Sequence, residues 1–107
     1  MSTIEKRRFR RVPLVGSIEI EVGAVRIAAE SRNISSNGML VRSSQTFPEN
    51  VQIRIWFTLP GAKSPMSVRG TILHVSPDAY MGVRFDEITE SARLAIDTYV
   101  NTSSEVS

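Results

Sequence analysis

The sequence has 107 residues, of which 41% are hydrophobic, and this predicts one domain with a single packed core. It has no cysteine and one histidine, which excludes disulfides, a cysteine nucleophile and a zinc site built from Cys and His ligands. The net charge is +2. No stretch approaches the roughly 18 apolar residues of a membrane span, and no apolar run follows the basic N-terminus. We therefore expect a cytoplasmic protein without membrane insertion.

The N-terminal segment is strongly basic. The residues after Arg11 carry eight basic and ten acidic side chains, so the body of the protein is slightly acidic. This asymmetry favours an anionic partner for the segment over a generally basic nucleic-acid-binding surface. We expect a flexible basic segment over 1–12, a folded domain over 13–101 and a frayed tail over 102–107. Five of the thirteen basic residues lie within six positions, namely Lys6, Arg7, Arg8, Arg10 and Arg11.

Alternation of apolar and polar residues predicts six short strands from Ser17 onward. The first two runs flank Gly23, which suits a tight hairpin turn. In the fifth run the apolar residues change from one face of the strand to the other, which indicates a bend at Gly70 or a bulge. Six short strands predict a closed or nearly closed antiparallel β-barrel. The later runs cover residues 39–42, 51–59, 66–75 and 80–85.

One amphipathic helix is predicted after the sixth strand, over about 90–101, with Thr89 as its N-cap and its apolar face on the barrel. Trp56 falls on the polar face of the fourth run. An apolar ring at that position needs a cover, for which we expect the C-terminal helix or, alternatively, a partner protein. Apolar residues recur at helical spacing at Ile88, Ala92, Ala95, Ile96, Tyr99 and Val100.

Two motifs stand in a fixed order along the chain. The spacing Arg-x-x-x-Arg occurs at Arg7 and Arg11, and Asn-x-Ser-x-x-Gly follows at Asn33, Ser35 and Gly38. Alone, the first is typical of a solvated tail and the second of an ordinary turn. Together, and with Gly70-Thr71-Ile72 and Gly82-Val83-Arg84-Phe85 downstream, they resemble the signature of the PilZ domain family, and the resemblance covers roughly Glu5 to Phe85.

The resemblance implies a six-stranded antiparallel barrel with a C-terminal helix that binds the second messenger cyclic di-GMP. It implies that Arg7 and Arg11 hold phosphate and guanine, whereas Asn33, Ser35 and Gly38 form the floor of the site. We include Arg8 as a further source of positive field. The implied output is regulation of an unidentified effector protein in motility, exopolysaccharide synthesis, biofilm formation or virulence, with cyclic di-GMP as ligand and no cofactor.

The chemistry of these side chains suits such a ligand. Cyclic di-GMP has two phosphates and two guanines, whose O6 and N7 acceptors match the forked guanidinium of arginine. Arginine also stacks flat on a purine. The amide of Asn33 and the hydroxyl of Ser35 offer short, stiff donors and acceptors for a base edge or a phosphate.

Two other functions stay open at this point. A nucleic-acid-binding small barrel would use the basic segment to follow phosphates, although the body is slightly acidic and the strands carry no clustered stacking pair of aromatic residues. A ligand-independent PilZ-type assembly protein is the second alternative, and the intact motifs argue against it. We expect no enzyme, because the sequence offers no nucleophile and base pair and no metal set.

Overall fold

A computed structural model describes residues 10–103, which form a closed barrel of six antiparallel strands and one C-terminal helix. The strand order around the barrel is β1-β2-β3-β6-β5-β4. The predicted fold class is therefore confirmed. The elements are β1 (Val12–Val22), β2 (Val25–Ser35), β3 (Gly38–Arg42), β4 (Gln52–Phe57), β5 (Met66–Val75), β6 (Tyr80–Phe85) and α1 (Glu90–Thr102).

Alternate residues of each strand fill the inside of the barrel. In β1, for example, Ile18 and Ile20 are buried whereas Glu19 is exposed. Burying such an aliphatic side chain stabilises the fold by about 1.5–3 kcal/mol. The side chains that are almost inaccessible to solvent include Ile20, Ile34, Ile55, Ile72, Met81 and Ile96.

The β1–β2 hairpin turns over two residues, as predicted. Val22 pairs with Val25, so only Gly23 and Ala24 lie in the turn. Gly23 has φ of +59°, a conformation that glycine adopts at little cost.

Strand β1 begins at Val12, earlier than the alternation from Ser17 indicates. Val12 and Leu14 are buried, but Val15 is 71% exposed and the pairing with β2 shifts register between Pro13 and Gly16. The exposed valine and the irregular register interrupt the pattern of period two, which is why the first part of the strand is not apparent from the sequence.

Strand β5 contains a bulge at Leu73. Ile72 pairs with Val83 of β6 and His74 pairs with Gly82, so Leu73 is an extra residue and lies 48% exposed. The predicted change of phase in this strand is therefore a bulge three residues after Gly70. It turns His74 to the outside of the barrel.

Helix α1 packs at the end of the barrel where β1 begins and β2 ends. Its N-cap is Thr89, as predicted, and the Thr89 side chain accepts a hydrogen bond from the backbone N–H of Ala92 at 3.2 Å. Buried Ala92, Ile96 and Val100 recur every four residues, and Ile96 and Val100 join the core cluster. None of the helices between residues 10 and 103 is both long and apolar enough to cross a membrane.

Trp56 is covered by strands β1 and β2, so the expectation that the helix covers it is wrong. The Arg26 guanidinium lies 4.5 Å from the centre of its ring, and the indole Nε1 donates to Glu21 Oε1 at 2.9 Å. Arg26 also pairs with Glu19 at 2.6 Å. A long arginine side chain from β2 thus supplies the cover, which the sequence order of the elements does not reveal.

Candidate functional site

The Asn-x-Ser-x-x-Gly motif forms the end of β2 and the tight turn into β3. Ser35 pairs with Gly38, so Ser36 and Asn37 lie in the turn. The hydroxyl of Ser35 donates to Asn37 Oδ1 at 2.8 Å and accepts from the Asn37 backbone N–H at 3.3 Å. The Asn37 carbonyl in turn accepts from the backbone N–H of Phe85 at 2.8 Å, which fastens the turn to the end of β6.

Two rows of residues cross the outside of the barrel at this turn. Cross-strand neighbours in an antiparallel sheet point to the same face, so each row presents its side chains together. The first row is Pro13, Asn33, Leu40, Gly82 and His74, on β1, β2, β3, β6 and β5. The second is Ser35, Gly38, Arg84 and Thr71, on β2, β3, β6 and β5.

A small cavity of about 140 Å³ lies over these rows. It brings together four of the six predicted site residues: Arg11, Asn33, Ser35 and Gly38. The other two, Arg7 and Arg8, lie outside the described residues. The cavity is also lined by Asn37, Met39, Leu40, Leu73, His74, Gly82, Val83 and Arg84.

Gly38 is needed for the close approach of β3 to β6. A Cβ atom at this position would stand against the Val83 carbonyl oxygen, well inside contact distance and facing rigid backbone. The lack of a side chain at Gly38 therefore permits the close approach of the turn to β6, and this is its role in the cavity.

His74 forms part of the cavity wall and was not among the predicted site residues. A Cβ atom at Gly82 would lie 2.7 Å from His74 Cε1 and 2.8 Å from Nδ1, so the imidazole ring covers the space left by this glycine. Leu73 and Leu40 lie beside it. The sequence gives no direct signal for this arrangement, because the bulge at Leu73 decides which residues of β5 face outward.

Arg84 is the second residue that sequence reasoning missed. Its Nε and Nη2 atoms both lie 3.3 Å from Asp86 Oδ1, and Asp86 Oδ2 accepts a 2.6 Å hydrogen bond from the hydroxyl of Thr71. The side chain of Arg84 is half exposed, and it lines the cavity. Arg84 and Arg11, two arginines from distant parts of the chain, thus both line the cavity.

Two segments border the cavity, the chain from Arg10 to Pro13 and the β2–β3 turn, and we call them its two arms. Arg10, next to Arg11, donates from Nη2 to the Ser103 carbonyl at 2.8 Å, and the Tyr99 hydroxyl donates to the Pro13 carbonyl at 2.6 Å. From the other arm, Ser36 Oγ donates to Asp97 Oδ1 at 2.7 Å. Both arms are therefore hydrogen-bonded to α1 or to its C-cap.

Between residues 10 and 103, no group of three or more His, Asp or Glu side chains is arranged to hold a metal ion. The cavity is lined by two arginines, two asparagines and one serine, together with apolar residues such as Leu40 and Leu73. Such a set suits an anionic ligand with hydrogen-bonding edges.

The chain is similar in fold to several solved structures. They include the Bacillus subtilis inhibitor of motility MotI/DgrA (21% identity, TM-score 0.77, 94% of this chain and 52% of that one). They also include the Borreliella burgdorferi PlzA protein in complex with c-di-GMP (17% identity, TM-score 0.72, 91% of this chain and 42% of that one). A third is the PilZ domain of CeSA from a cellulose-synthesizing bacterium (13% identity, TM-score 0.66, 85% of this chain and 94% of that one).

This chain thus spans about half the length of MotI/DgrA and less than half of PlzA. No curated protein sequence is significantly similar to it. The PilZ domain model, however, matches residues 5–102, which include both motifs, all six strands and the helix. With the barrel, the ordered motifs and this match, the chain belongs to the PilZ domain family.

Proposed function

We propose that this chain is a cyclic di-GMP receptor that regulates a partner protein without catalysing a reaction. The observation that carries the proposal is that Arg11 lines one cavity with Asn33, Ser35 and Gly38, although more than twenty residues separate it from the motif. An arginine and a polar turn around one space are what a ligand with phosphates and guanine edges requires. PlzA, which shares the fold, has been seen in complex with c-di-GMP.

The small size of the cavity suggests how the ligand is held. At about 140 Å³ it is well below the roughly 300–1,000 Å³ of a pocket that encloses a drug-sized molecule. It therefore takes one part of the ligand, and the remainder lies on the outer surface of the barrel. In this proposal Arg11 and Arg7 close over that remainder from the N-terminal segment, and Arg8 adds positive field.

The output follows from the contacts of the N-terminal segment. When Arg11 turns to the ligand, the neighbouring Arg10 is drawn from its hydrogen bond with the Ser103 carbonyl. The end of α1 then loses one of its fastenings, and the surface formed by the segment and the helix changes. A cytoplasmic effector protein that recognises only one of these surfaces would read the presence of the messenger.

Calorimetric titration with cyclic di-GMP tests the proposal, with Arg11→Ala as the variant and Arg93→Ala as the control. Arg93 is an exposed residue of α1 that does not line the cavity. Loss of one charge-assisted arginine contact is expected to weaken binding by about 1–3 kcal/mol, which is roughly tenfold to over a hundredfold in Kd. The Arg93→Ala variant is expected to bind as the unaltered protein does.

Absence of binding by the unaltered protein at about 100 µM ligand would contradict the proposal. A parallel titration with single-stranded RNA separates it from the nucleic-acid alternative. RNA binding with a steep salt dependence and no competition by cyclic di-GMP would support that alternative instead.

A further inference from the structure

Arg84 lies on the opposite side of the candidate site from Arg11. It stands on β6, with Gly38 of β3 on one side and Thr71 of β5 on the other. Arg11 directly precedes β1, and the barrel order places β2 and β3 between β1 and β6. Three strand spacings separate the two strands, about 14 Å at the usual distance between neighbouring strands. Both arginines nevertheless line the same cavity.

The guanidinium of Arg84 has donors to spare. Its two contacts with Asp86 Oδ1 are both 3.3 Å long, beyond the usual range for a charge-assisted hydrogen bond. The Arg84 side chain is 51% exposed, and an exposed ion pair of this kind contributes little to stability. A guanidinium has five N–H donors, so most of them stay available for another acceptor.

Asp86 is held more firmly by Thr71 than by Arg84. The Thr71 hydroxyl donates to Asp86 Oδ2 at 2.6 Å, and the backbone N–H of Asp86 donates to the Arg69 carbonyl at 2.9 Å. The carboxylate is thus fixed by Thr71 and by its own backbone, whereas the arginine is joined to it by long contacts alone. A stronger anion in the cavity would take the guanidinium and leave Asp86 with Thr71.

We propose that Arg84 binds a phosphate of the cyclic dinucleotide on the far side of the site from Arg11, and that Asp86 competes with the ligand for it. This inference rests on the proposed function. It adds one arginine from the barrel wall to those of the N-terminal segment, so that the two phosphates of the ligand are approached from two sides. Arg84 then strengthens the binding of the ligand, whereas Asp86 weakens it.

Three variants test this in calorimetric titrations with cyclic di-GMP. Arg84→Gln is expected to raise Kd by about tenfold or more, because a charged contact is lost. Asp86→Asn is expected to lower Kd by a few fold, because a competing negative charge is removed while the Thr71 hydroxyl keeps an acceptor. Arg84→Lys is expected to fall between Arg84→Gln and the unaltered protein.

The controls come from a matched ion pair nearby. Arg69 and Glu87 are also 3.3 Å apart, but neither lines the cavity. Arg69→Gln and Glu87→Gln make the same changes of charge and are expected to alter Kd by less than about twofold, since both side chains are exposed to the screening effect of salt and neither lines the cavity. Each variant is first shown to fold by its circular dichroism and its thermal midpoint.

The outcomes separate the two proposals. If the unaltered protein does not bind cyclic di-GMP, the proposed function itself fails. If it binds and Arg84→Gln binds equally well, only the role of Arg84 is overturned. A weaker affinity in both Arg84→Gln and Asp86→Asn would also overturn the inference, since it would show that the pair acts together as a structural contact.

Discussion

Gly38 illustrates how one residue serves the fold and the site at once. The family signature assigns it to the floor of the site, and the structure gives a physical reason for a glycine there: a side chain would meet the Val83 carbonyl oxygen. Strands β3 and β6 pair directly at this point, with Gly38 opposite Arg84. A substitution would therefore press the motif turn away from the strand that carries Arg84.

Gly38→Ala is expected to lower the free energy of unfolding by about 1–3 kcal/mol, because the added methyl group faces backbone that has no room to move. Gly16→Ala is the control, since a Cβ there meets no atom within 4 Å. Urea denaturation of both variants measures the difference. Equal stability of the two would contradict the assignment of close packing at Gly38.

At the scale of the element, α1 connects the core to both arms of the site. Its buried face belongs to the core of the barrel, whereas Asp97 and Tyr99 are hydrogen-bonded to Ser36 and Pro13. The helix is thus an integral part of the domain and not a separate appendage. Its hydrogen bonds tie the β2–β3 turn and the start of β1 to the helix.

Ile96→Ala is expected to cost about 2–5 kcal/mol of stability, because Ile96 is completely buried and its truncation leaves a cavity. Leu94→Ala, two residues earlier on the same helix, is expected to change stability by less than about 0.5 kcal/mol, since Leu94 is 58% exposed. Thermal and urea unfolding measure both. Similar losses for the two variants would show that the helix packs through a different face.

Residues 10–103 form one closed barrel with α1 packed on it, and a ligand that binds only the folded form must stabilise all of it. At a free ligand concentration one hundred times Kd, the free energy of unfolding is expected to rise by about 2.7 kcal/mol. Fluorescence of Trp56, the one tryptophan of the sequence, reports the unfolding and lies outside the site.

The same ligand concentration is expected to stabilise Arg11→Ala less, because its higher Kd lowers the ratio of free ligand concentration to Kd by about tenfold or more. An unchanged unfolding midpoint for the unaltered protein, at ligand concentrations that calorimetry finds saturating, would contradict binding to the folded barrel. Equal stabilisation of Arg11→Ala would remove that arginine from the site.

The sequence by itself determined the barrel, the helix and the motif that faces the site. Alternation of period two indicated the strands, and the helical spacing of Ala92, Ile96 and Val100 with Thr89 as cap predicted α1, because these signals depend on neighbours along the chain. The paired motifs led to Arg11, Asn33, Ser35 and Gly38, which line one cavity.

Only the tertiary structure decided what lies beside those residues. The bulge at Leu73 sets the register that brings His74 over Gly82, and closure of the barrel places Arg84 beside the motif. Likewise the cover of Trp56 comes from Arg26 of β2 rather than from the helix. The positions of His74, Arg84 and Arg26 depend on which strands are neighbours and on the register between them. Contacts between distant parts of a chain leave no periodic signal in its sequence, so these positions could not be predicted from it.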